Sequence, residues 1–270
     1  MAMINEKHLN LEIRKNEFLN AEPFPHLILD NFLDENIYSD ICALAEDSSQ
    51  DSQGRSFNTT VEEKKWISLN STLPDVISKV VNYLNEPAWT ENMRALTGIE
   101  SLLSTLDGNT KLANYHIMQP GGFLGSHVDH SYEPTKGFPH VLNIIIYLTK
   151  EWDDDLGGET IFFDKNGVKV LSKISYKPNR AVIFLHTPYS FHGVGRVSKD
   201  SKLKRRTLYV DYYSKSYDPY ANMKLNFDNH WFKHGTTFVL SKATDYLKYK
   251  NRFYTLNSLR YKMSRFLNWF

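Results

Sequence analysis

The sequence predicts a mainly β protein with flanking helices, an α+β fold whose strands form a sandwich or barrel. Three observations predict this class. Helical apolar spacing dominates residues 1–100, short apolar segments between turn residues fill residues 101–215, and helical spacing returns after about residue 236. Many short strands with regular turn residues are typical of sandwiches and barrels. We expect the 270 residues to form one integrated domain, with a support region at 1–100, a core at 101–215 and a C-terminal extension at 216–270.

The support region is predicted to contain one strand, one polar loop and three helices. In the first helix the apolar residues Ile37, Ile41 and Leu44 recur at helical spacing. The third helix is predicted to end at Gly98, since glycine readily ends a helix. The predicted segments are a strand at 26–30, a surface loop at 46–63, and helices capped by Asp34, capped by Ser71 or Thr72, and beginning at Trp89.

The core is predicted to contain eight strands, because apolar and β-branched residues alternate with clusters of Gly, Pro, Asn and Asp. Pro120, Gly121 and Gly122 separate the first two. The predicted strands lie at 112–118, 123–129, 141–149, 159–163, 168–175, 180–186, 190–197 and 205–213.

Composition excludes several classes of protein. Lys plus Arg number 32 and Asp plus Glu number 31, so we expect no nucleic-acid partner. The one cysteine, Cys42, allows neither an intramolecular disulfide nor a cysteine-based zinc site, and it suits a reducing compartment. The start of the sequence lacks an apolar signal segment, and its longest apolar run is too short to span a bilayer. We therefore expect a cytoplasmic protein.

A histidine and a carboxylate two residues apart are the first candidate metal ligands. Successive side chains of a strand alternate between faces, so His127 and Asp129 project from the same face. They supply two of the three ligands of a 2-His-1-carboxylate iron site. About one such pair is expected by chance in a chain of this composition. His192, on a later strand and followed by Gly193, is the candidate third ligand.

Two adjacent arginines open the last core strand. Arg205 shares a face with Thr207, Tyr209 and Asp211, whereas Arg206 lies on the other face. An arginine that enters a barrel interior is costly unless an anion pairs with it. We assign Arg205 to a carboxylate of a ligand, and the alternative is a pair of solvated arginines on an edge strand.

These motifs, in their order along the chain, resemble those of the Fe(II)/2-oxoglutarate-dependent oxygenase superfamily, and specifically its prolyl-4-hydroxylase-like branch. The resemblance covers residues 23–215. The matching segments are His127-x-Asp129, His192, Arg205-Arg206-Thr207-Leu208, Tyr147-Leu148-Thr149, Gly157-Gly158-Glu159-Thr160 and residues 176–184.

The resemblance implies a double-stranded β-helix, also called a jelly-roll or cupin-like fold, as the core at 101–215. It implies that His127, Asp129 and His192 bind Fe(II) and are the catalytic residues. It further implies that Arg205 and Tyr147, together with Thr207 and Tyr115, bind the co-substrate 2-oxoglutarate. O₂ is the oxidant, and ascorbate is an optional cofactor.

The implied reaction is hydroxylation of an unactivated C–H bond, with succinate and CO₂ as co-products. The substrate is a prolyl residue of a peptide, an amino acid or a sugar-like metabolite. Five polar residues are candidate substrate contacts, with ordinary structural roles as the alternative: His130, Asn114, His116, Arg196 and Asp211.

Two other functions remain open at this point. One is a non-catalytic jelly-roll module that binds a small dicarboxylate or a partner, and the other is a zinc hydrolase with similar ligands. The basic, aromatic C-terminal extension also has three interpretations: an extra helix packed on the barrel, a homodimer surface, or a peripheral contact with an anionic membrane.

Overall fold

The computed structural model describes residues 2–46, 55–59, 61–69, 73–103, 113–133, 136–216, 218–220 and 235–239. The α-helices of these residues are α1 (Lys15–Leu19), α2 (Glu35–Glu46), α3 (Asp75–Leu84) and α4 (Pro87–Thr97). The strands are β1 (His26–Leu29), β2 (Arg55–Phe57), β3 (Glu62–Leu69), β4 (Ala113–Val128), β5 (His140–Tyr147), β6 (Thr160–Phe163), β7 (Val170–Ile174), β8 (Ala181–Leu185), β9 (His192–Val194), β10 (Arg205–Tyr213) and β11 (Thr237–Phe238).

The strands form an antiparallel half-barrel, as the predicted jelly-roll fold requires. Their order is β1-β8-β5-β10-β4-β9-β6-β7, with β3 and β11 also paired to β4 and β2 paired to β3. The Phe184 ring on β8 lies 5.6 Å from Phe162 on β6 and 4.8 Å from His192 on β9. Because β8 is distant from both strands in the sheet order, these contacts show that the sheet curls back on itself.

The central strands are buried on both faces. On β5, Ile144 and Ile146 pack in the core beneath the helices, whereas Ile145 and Tyr147 pack inside the half-barrel. Apolar residues spaced along α3 and Trp89 of α4 cover the outer face. Burial on both faces explains why the sequence of β5 is a continuous apolar run rather than an alternating one.

A single long strand, β4, replaces the two strands predicted at 112–118 and 123–129. Its first half pairs with β10 and its second half with β9. The predicted turn is a bend within the strand, where Gly121 adopts a φ of +83°. A Cβ on Gly122 would lie 2.6 Å from the Met118 side chain, so the bend excludes a larger residue. Glycine and proline therefore mark a corner of the barrel here, not the end of a strand.

Several other elements differ from the prediction. Strands β2 and β3 occupy part of the predicted loop at 46–63 and the residues after it. Pro74 takes the N-cap position of α3, while Ser71 and Thr72 lie outside the described residues. Phe238, predicted to be helical, lies in β11 and pairs with His127.

The domain boundaries stay predictions, and most of the predicted extension lies outside the described residues. The helices of the described residues are all too short or too polar to cross a membrane.

Candidate metal centre

Three predicted metal ligands meet where β4 and β9 pair. His127 lies near the end of β4 opposite His192 on β9, so both side chains point to the same face. Asp129 follows β4 and lies between the two rings, with its Oδ1 and Oδ2 each 3.4 Å from one histidine Nε2. The candidate ligand atoms all lie within 4.8 Å of one another. The structure thus brings together residues that are up to 65 positions apart in the sequence.

Backbone carbonyls fix which ring nitrogen of each histidine carries hydrogen. Nδ1 of His127 donates to the carbonyl of Gly125 at 2.9 Å, and Nδ1 of His192 donates to the carbonyl of Ser190 at 3.0 Å. A carbonyl oxygen only accepts, so in the neutral ring each Nε2 keeps a bare lone pair directed at Asp129. The buried Nε2 of His192 has no hydrogen-bond partner among the described residues. Two bare nitrogens against a carboxylate are the donor set that a divalent iron binds.

The charge state of the cluster suits metal binding. Burial lowers the pKa of His127, and the neighbouring His192 lowers it further, although Asp129 opposes both effects. Burial alone would raise the pKa of Asp129, but the two histidines hold it well below its usual value. These shifts favour a neutral imidazole at His127 and an ionised carboxylate at Asp129, the forms that metal ions require.

Asn143 on β5 orients the carboxylate ligand. Its Nδ2 donates to Oδ2 of Asp129 at 3.3 Å, and its Oδ1 lies 2.7 Å from Nε2 of His140. Nδ1 of His140 lies 2.9 Å from the carbonyl oxygen of His130. Neither Asn143 nor His140 was predicted from the sequence. The sequence contained one indication that Asn143 has a specific role, because it is the one amide in the otherwise apolar segment 141–148.

The interior of the half-barrel, which we call the cavity, contains Arg205 at one end, and this residue is only 2% exposed. Its Nε donates to the carbonyl of Gly158 at 2.7 Å, and its guanidinium carbon lies 5.3 Å from the Tyr147 ring and 5.1 Å from the Tyr176 ring. No carboxylate pairs with Arg205 among the described residues. A buried guanidinium without an anion is costly, so this end of the cavity suits an anionic ligand.

Hydroxyl groups surround the same guanidinium. The oxygens of Thr207 and Thr160 lie 3.4 Å from its terminal nitrogens, and the Tyr147 hydroxyl lies 2.6 Å from that of Thr160. Tyr147 and Thr207 therefore lie beside Arg205, and their role toward 2-oxoglutarate stays a prediction, whereas Thr160 and Tyr176 were not predicted. A Cβ on Gly158 would come within 3.0 Å of Arg205, which explains the glycine of the Gly157-Gly158 turn.

Three of the five predicted substrate residues lie on the inward face of the half-barrel: Asn114, His116 and Asp211. Asn114 and His116 on β4 are partly exposed and pair with Tyr209 and Thr207 of β10. The His116 ring stacks on Tyr209 at 4.4 Å, and burial lowers the pKa of His116. Asp211, two residues beyond Tyr209, also faces inward.

Three predicted site residues lie elsewhere. Tyr115 is on the opposite face of β4, where its hydroxyl accepts from Arg206 at 3.1 Å and its ring packs beneath the helices. It is therefore not a 2-oxoglutarate contact. Arg196 is an exposed residue that pairs with Glu63 at 2.8 Å and does not face the cavity. His130 stacks on His140 and bonds to Tyr213 at 2.9 Å, so its ring belongs to a packed histidine group beside the metal ligands.

Comparison with known proteins agrees with this geometry. Residues 110–214 match the sequence model of a family described as the 2OG-Fe(II) oxygenase superfamily. No curated protein sequence matches the chain significantly.

Solved structures share the fold. The chain is similar to a prolyl-4-hydroxylase from Pseudomonas putida, at 14% identity and a TM-score of 0.54, over 76% of this chain and 100% of that one. It is similar to a Trichoplax adhaerens prolyl hydroxylase in complex with a peptide fragment of the hypoxia inducible factor oxygen degradation domain, at 17% identity and a TM-score of 0.57, over 78% of this chain and 92% of that one. It is also similar to a prolyl 4-hydroxylase from Phytophthora capsici, at 14% identity and a TM-score of 0.55, over 95% of this chain and 76% of that one.

Proposed function

Since residues 110–214 place the chain in the 2OG-Fe(II) oxygenase superfamily, we propose that this enzyme hydroxylates an unactivated C–H bond of a small molecule or peptide, with succinate and CO₂ as co-products. One observation carries the proposal. The open Nε2 atoms of His127 and His192 beside Asp129 share a cavity with the buried Arg205, which has no acidic partner among the described residues.

Each part of the cavity has a separate task in this function. His127, Asp129 and His192 hold Fe(II), which supplies activation of O₂ coupled to decarboxylation of the 2-oxo acid. Arg205 binds the distal carboxylate of 2-oxoglutarate, because a guanidinium pairs strongly with a carboxylate in a buried site. Thr207 and Tyr147 offer hydroxyl groups to the same carboxylate. Asn143 holds the Asp129 carboxylate in place.

The substrate classes that the sequence suggests all fit such an enzyme. The named neighbours from Pseudomonas putida and Trichoplax adhaerens are prolyl hydroxylases, and the second is in complex with a peptide. Their likeness supports a prolyl substrate only at the level of a shared fold. A free amino acid or a sugar-like metabolite fits equally well at this level.

We also propose a cytoplasmic location, which the single cysteine supports. A homodimer contact and a membrane contact of the C-terminal extension stay predictions, because residues 240–270 lie outside the described residues.

Co-substrate turnover tests the proposed function. Purified protein with Fe(II), 2-oxoglutarate and O₂ is expected to form succinate, and the rate should depend on both Fe(II) and 2-oxoglutarate. A non-catalytic binding module would form no succinate with any substrate. A zinc hydrolase would act without 2-oxoglutarate. Either result would replace the oxygenase proposal.

A further inference from the structure

Besides Arg205, the cavity contains a second buried charged residue, Asp211, to which the proposed reaction gives no role. We propose that the Asp211 carboxylate binds an ammonium group of the substrate, so that the enzyme acts on an amine-bearing small molecule such as a free amino acid. This inference rests on the proposed function and narrows its substrate class.

Asp211 lies beside the metal ligands. It pairs across the sheet with Asn143, whose amide bonds to Asp129, and these paired side chains share the inward face. Along β10, Asp211 is six residues from Arg205, or about 20 Å at the rise of a strand. The two buried charges therefore lie at opposite ends of the cavity.

No hydrogen bond reaches the Asp211 carboxylate from any described residue. Its side chain is only 7% exposed, and its one ion-pair contact is Nε2 of His140 at 3.7 Å, beyond hydrogen-bond distance. That Nε2 is already engaged with Asn143 at 2.7 Å. A buried carboxylate loses the hydrogen bonds that water would give it. Without hydrogen-bond donors from the protein, this loss is offset only if a ligand supplies a donor. Burial also raises the pKa of Asp211, as does the charge of Asp129.

Charge balance favours a cation over a neutral donor. With the cofactors bound, the positive charges of Fe(II) and Arg205 offset the dianion 2-oxoglutarate and Asp129. Lys65, another inward-facing residue, is already paired with Glu62 at 3.2 Å. Burial lowers the pKa of His140, which favours its neutral ring, so Asp211 holds the charge that is left over among the described cavity residues. An ammonium neutralises it and donates charge-assisted hydrogen bonds, which are stronger than those of a hydroxyl group.

A prolyl residue inside a peptide fits this end of the cavity poorly. Its nitrogen carries neither hydrogen nor positive charge, so it would leave Asp211 buried and unpaired. A site built around a buried polar group discriminates strongly against a ligand that lacks the matching donor. Free amino acids and small amines meet the requirement.

Equilibrium binding to protein loaded with Mn(II) and 2-oxoglutarate tests the inference without turnover. The probes are the proteinogenic L-amino acids, linear diamines, the N-acetyl derivative of each, and a capped prolyl peptide. At least one free amine is expected to bind, with its N-acetyl derivative about 30-fold weaker or more. Asp211→Asn and Asp211→Ala should weaken that amine by a similar factor, whereas Asp200→Asn, which changes an exposed carboxylate, should not.

Three results would overturn the inference: a capped prolyl peptide or N-acetyl derivative that binds as tightly as any amine, an amine whose affinity is unchanged in Asp211→Asn, or no binding of any amine. Binding of Mn(II) and 2-oxoglutarate to the variants shows that they are folded. If the unaltered protein fails to bind Mn(II) and 2-oxoglutarate, the proposed function fails instead, so the two failures are distinguishable.

Discussion

The two ends of the inward face of β10 carry opposite charges in very different surroundings. Arg205 donates to the carbonyl of Gly158 at 2.7 Å and lies against the rings of Tyr147 and Tyr176. Asp211, equally buried, has its nearest ion-pair contact at 3.7 Å and accepts no hydrogen bond from the described residues. The fold thus supplies contacts for Arg205, at the end proposed to bind the co-substrate, but supplies none within hydrogen-bond distance for Asp211 among the described residues.

The metal centre lies between these two ends, next to both proposed ligand sites. Its carboxylate, Asp129, is held by Asn143, which pairs across the sheet with Asp211. The geometry of the iron ligands is thus coupled to the substrate end of the cavity more closely than to the Arg205 end. Changes at each position should therefore have separable effects.

The largest effect is expected for Asp129→Ala, which removes one of the three metal ligands between the two ends. Loss of partners that merely orient metal ligands costs about 10–100-fold in affinity or activity, so loss of a ligand should cost more than about 100-fold. Fe(II) binding by equilibrium dialysis and succinate formation both measure it. Asp200→Ala is the matched control on the surface. Retained activity in Asp129→Ala would remove this residue from the ligand set.

Arg205→Gln should specifically disable the cationic end. We expect 2-oxoglutarate affinity to fall about 30-fold or more, because the buried carboxylate of the co-substrate loses its charged partner, while Fe(II) affinity is unchanged. Arg206→Gln is the matched control, since Arg206 points to the other face and contacts Tyr115. Loss of Fe(II) binding with unaltered 2-oxoglutarate affinity would contradict the assignment.

Asn143→Ala tests the link between the metal centre and the substrate end. Fe(II) affinity should fall about tenfold, because the carboxylate loses the amide that orients it. Asn85→Ala also removes a buried amide, one that donates to the Val81 carbonyl at 2.8 Å within α3. This control should lower stability without changing Fe(II) affinity. Equal effects of the two variants on iron affinity would show that Asn143 has only a structural role.

The smallest expected effect is a gain in stability. Burial, with the Asp129 charge, raises the pKa of Asp211 above its unfolded value, so the folded state holds this proton more tightly. The carboxylate therefore destabilises the fold most at pH above the raised pKa, and not at all below about pH 4. Asp211→Asn should raise the free energy of unfolding at pH 7 by about 0.5–2 kcal/mol.

Chemical unfolding of the metal-free protein at several pH values measures this gain, which should shrink as the pH falls toward about 4. The surface variant Asp200→Asn should change stability by less than about 0.5 kcal/mol. Loss of stability in Asp211→Asn at pH 7 would show that the carboxylate has stabilising partners within the fold.

The sequence predicted the charged residues of the cavity better than its walls. His127, Asp129, His192 and Arg205 were recognisable because side-chain alternation and motif order restrict where each one points. Tyr115 was misplaced, because β4 is buried on both faces and alternation alone does not tell which face is the cavity. Asn143 was missed within an apolar strand, since its role depends on a carboxylate that only folding brings near.

In the fold, too, features set by local sequence were predicted and features set by tertiary pairing were not. Helix α4 and its glycine end at Gly98 were predicted from local propensity, and Gly98 adopts a φ of +80°. Strand β3 was missed, because Glu62, Glu63, Lys64 and Lys65 resemble a solvated segment. Pairing along β4 buries Glu62 and Lys65 as an ion pair, a tertiary effect that local patterns do not contain.

We propose that one cavity binds both iron, at the His127–Asp129–His192 cluster, and 2-oxoglutarate, against Arg205. An anaerobic absorbance titration with Fe(II) and 2-oxoglutarate tests it most directly. We expect a weak metal-to-ligand charge-transfer band that requires both additions and is absent in His192→Ala. No band in the unaltered protein, or an unchanged band in His192→Ala, would contradict it.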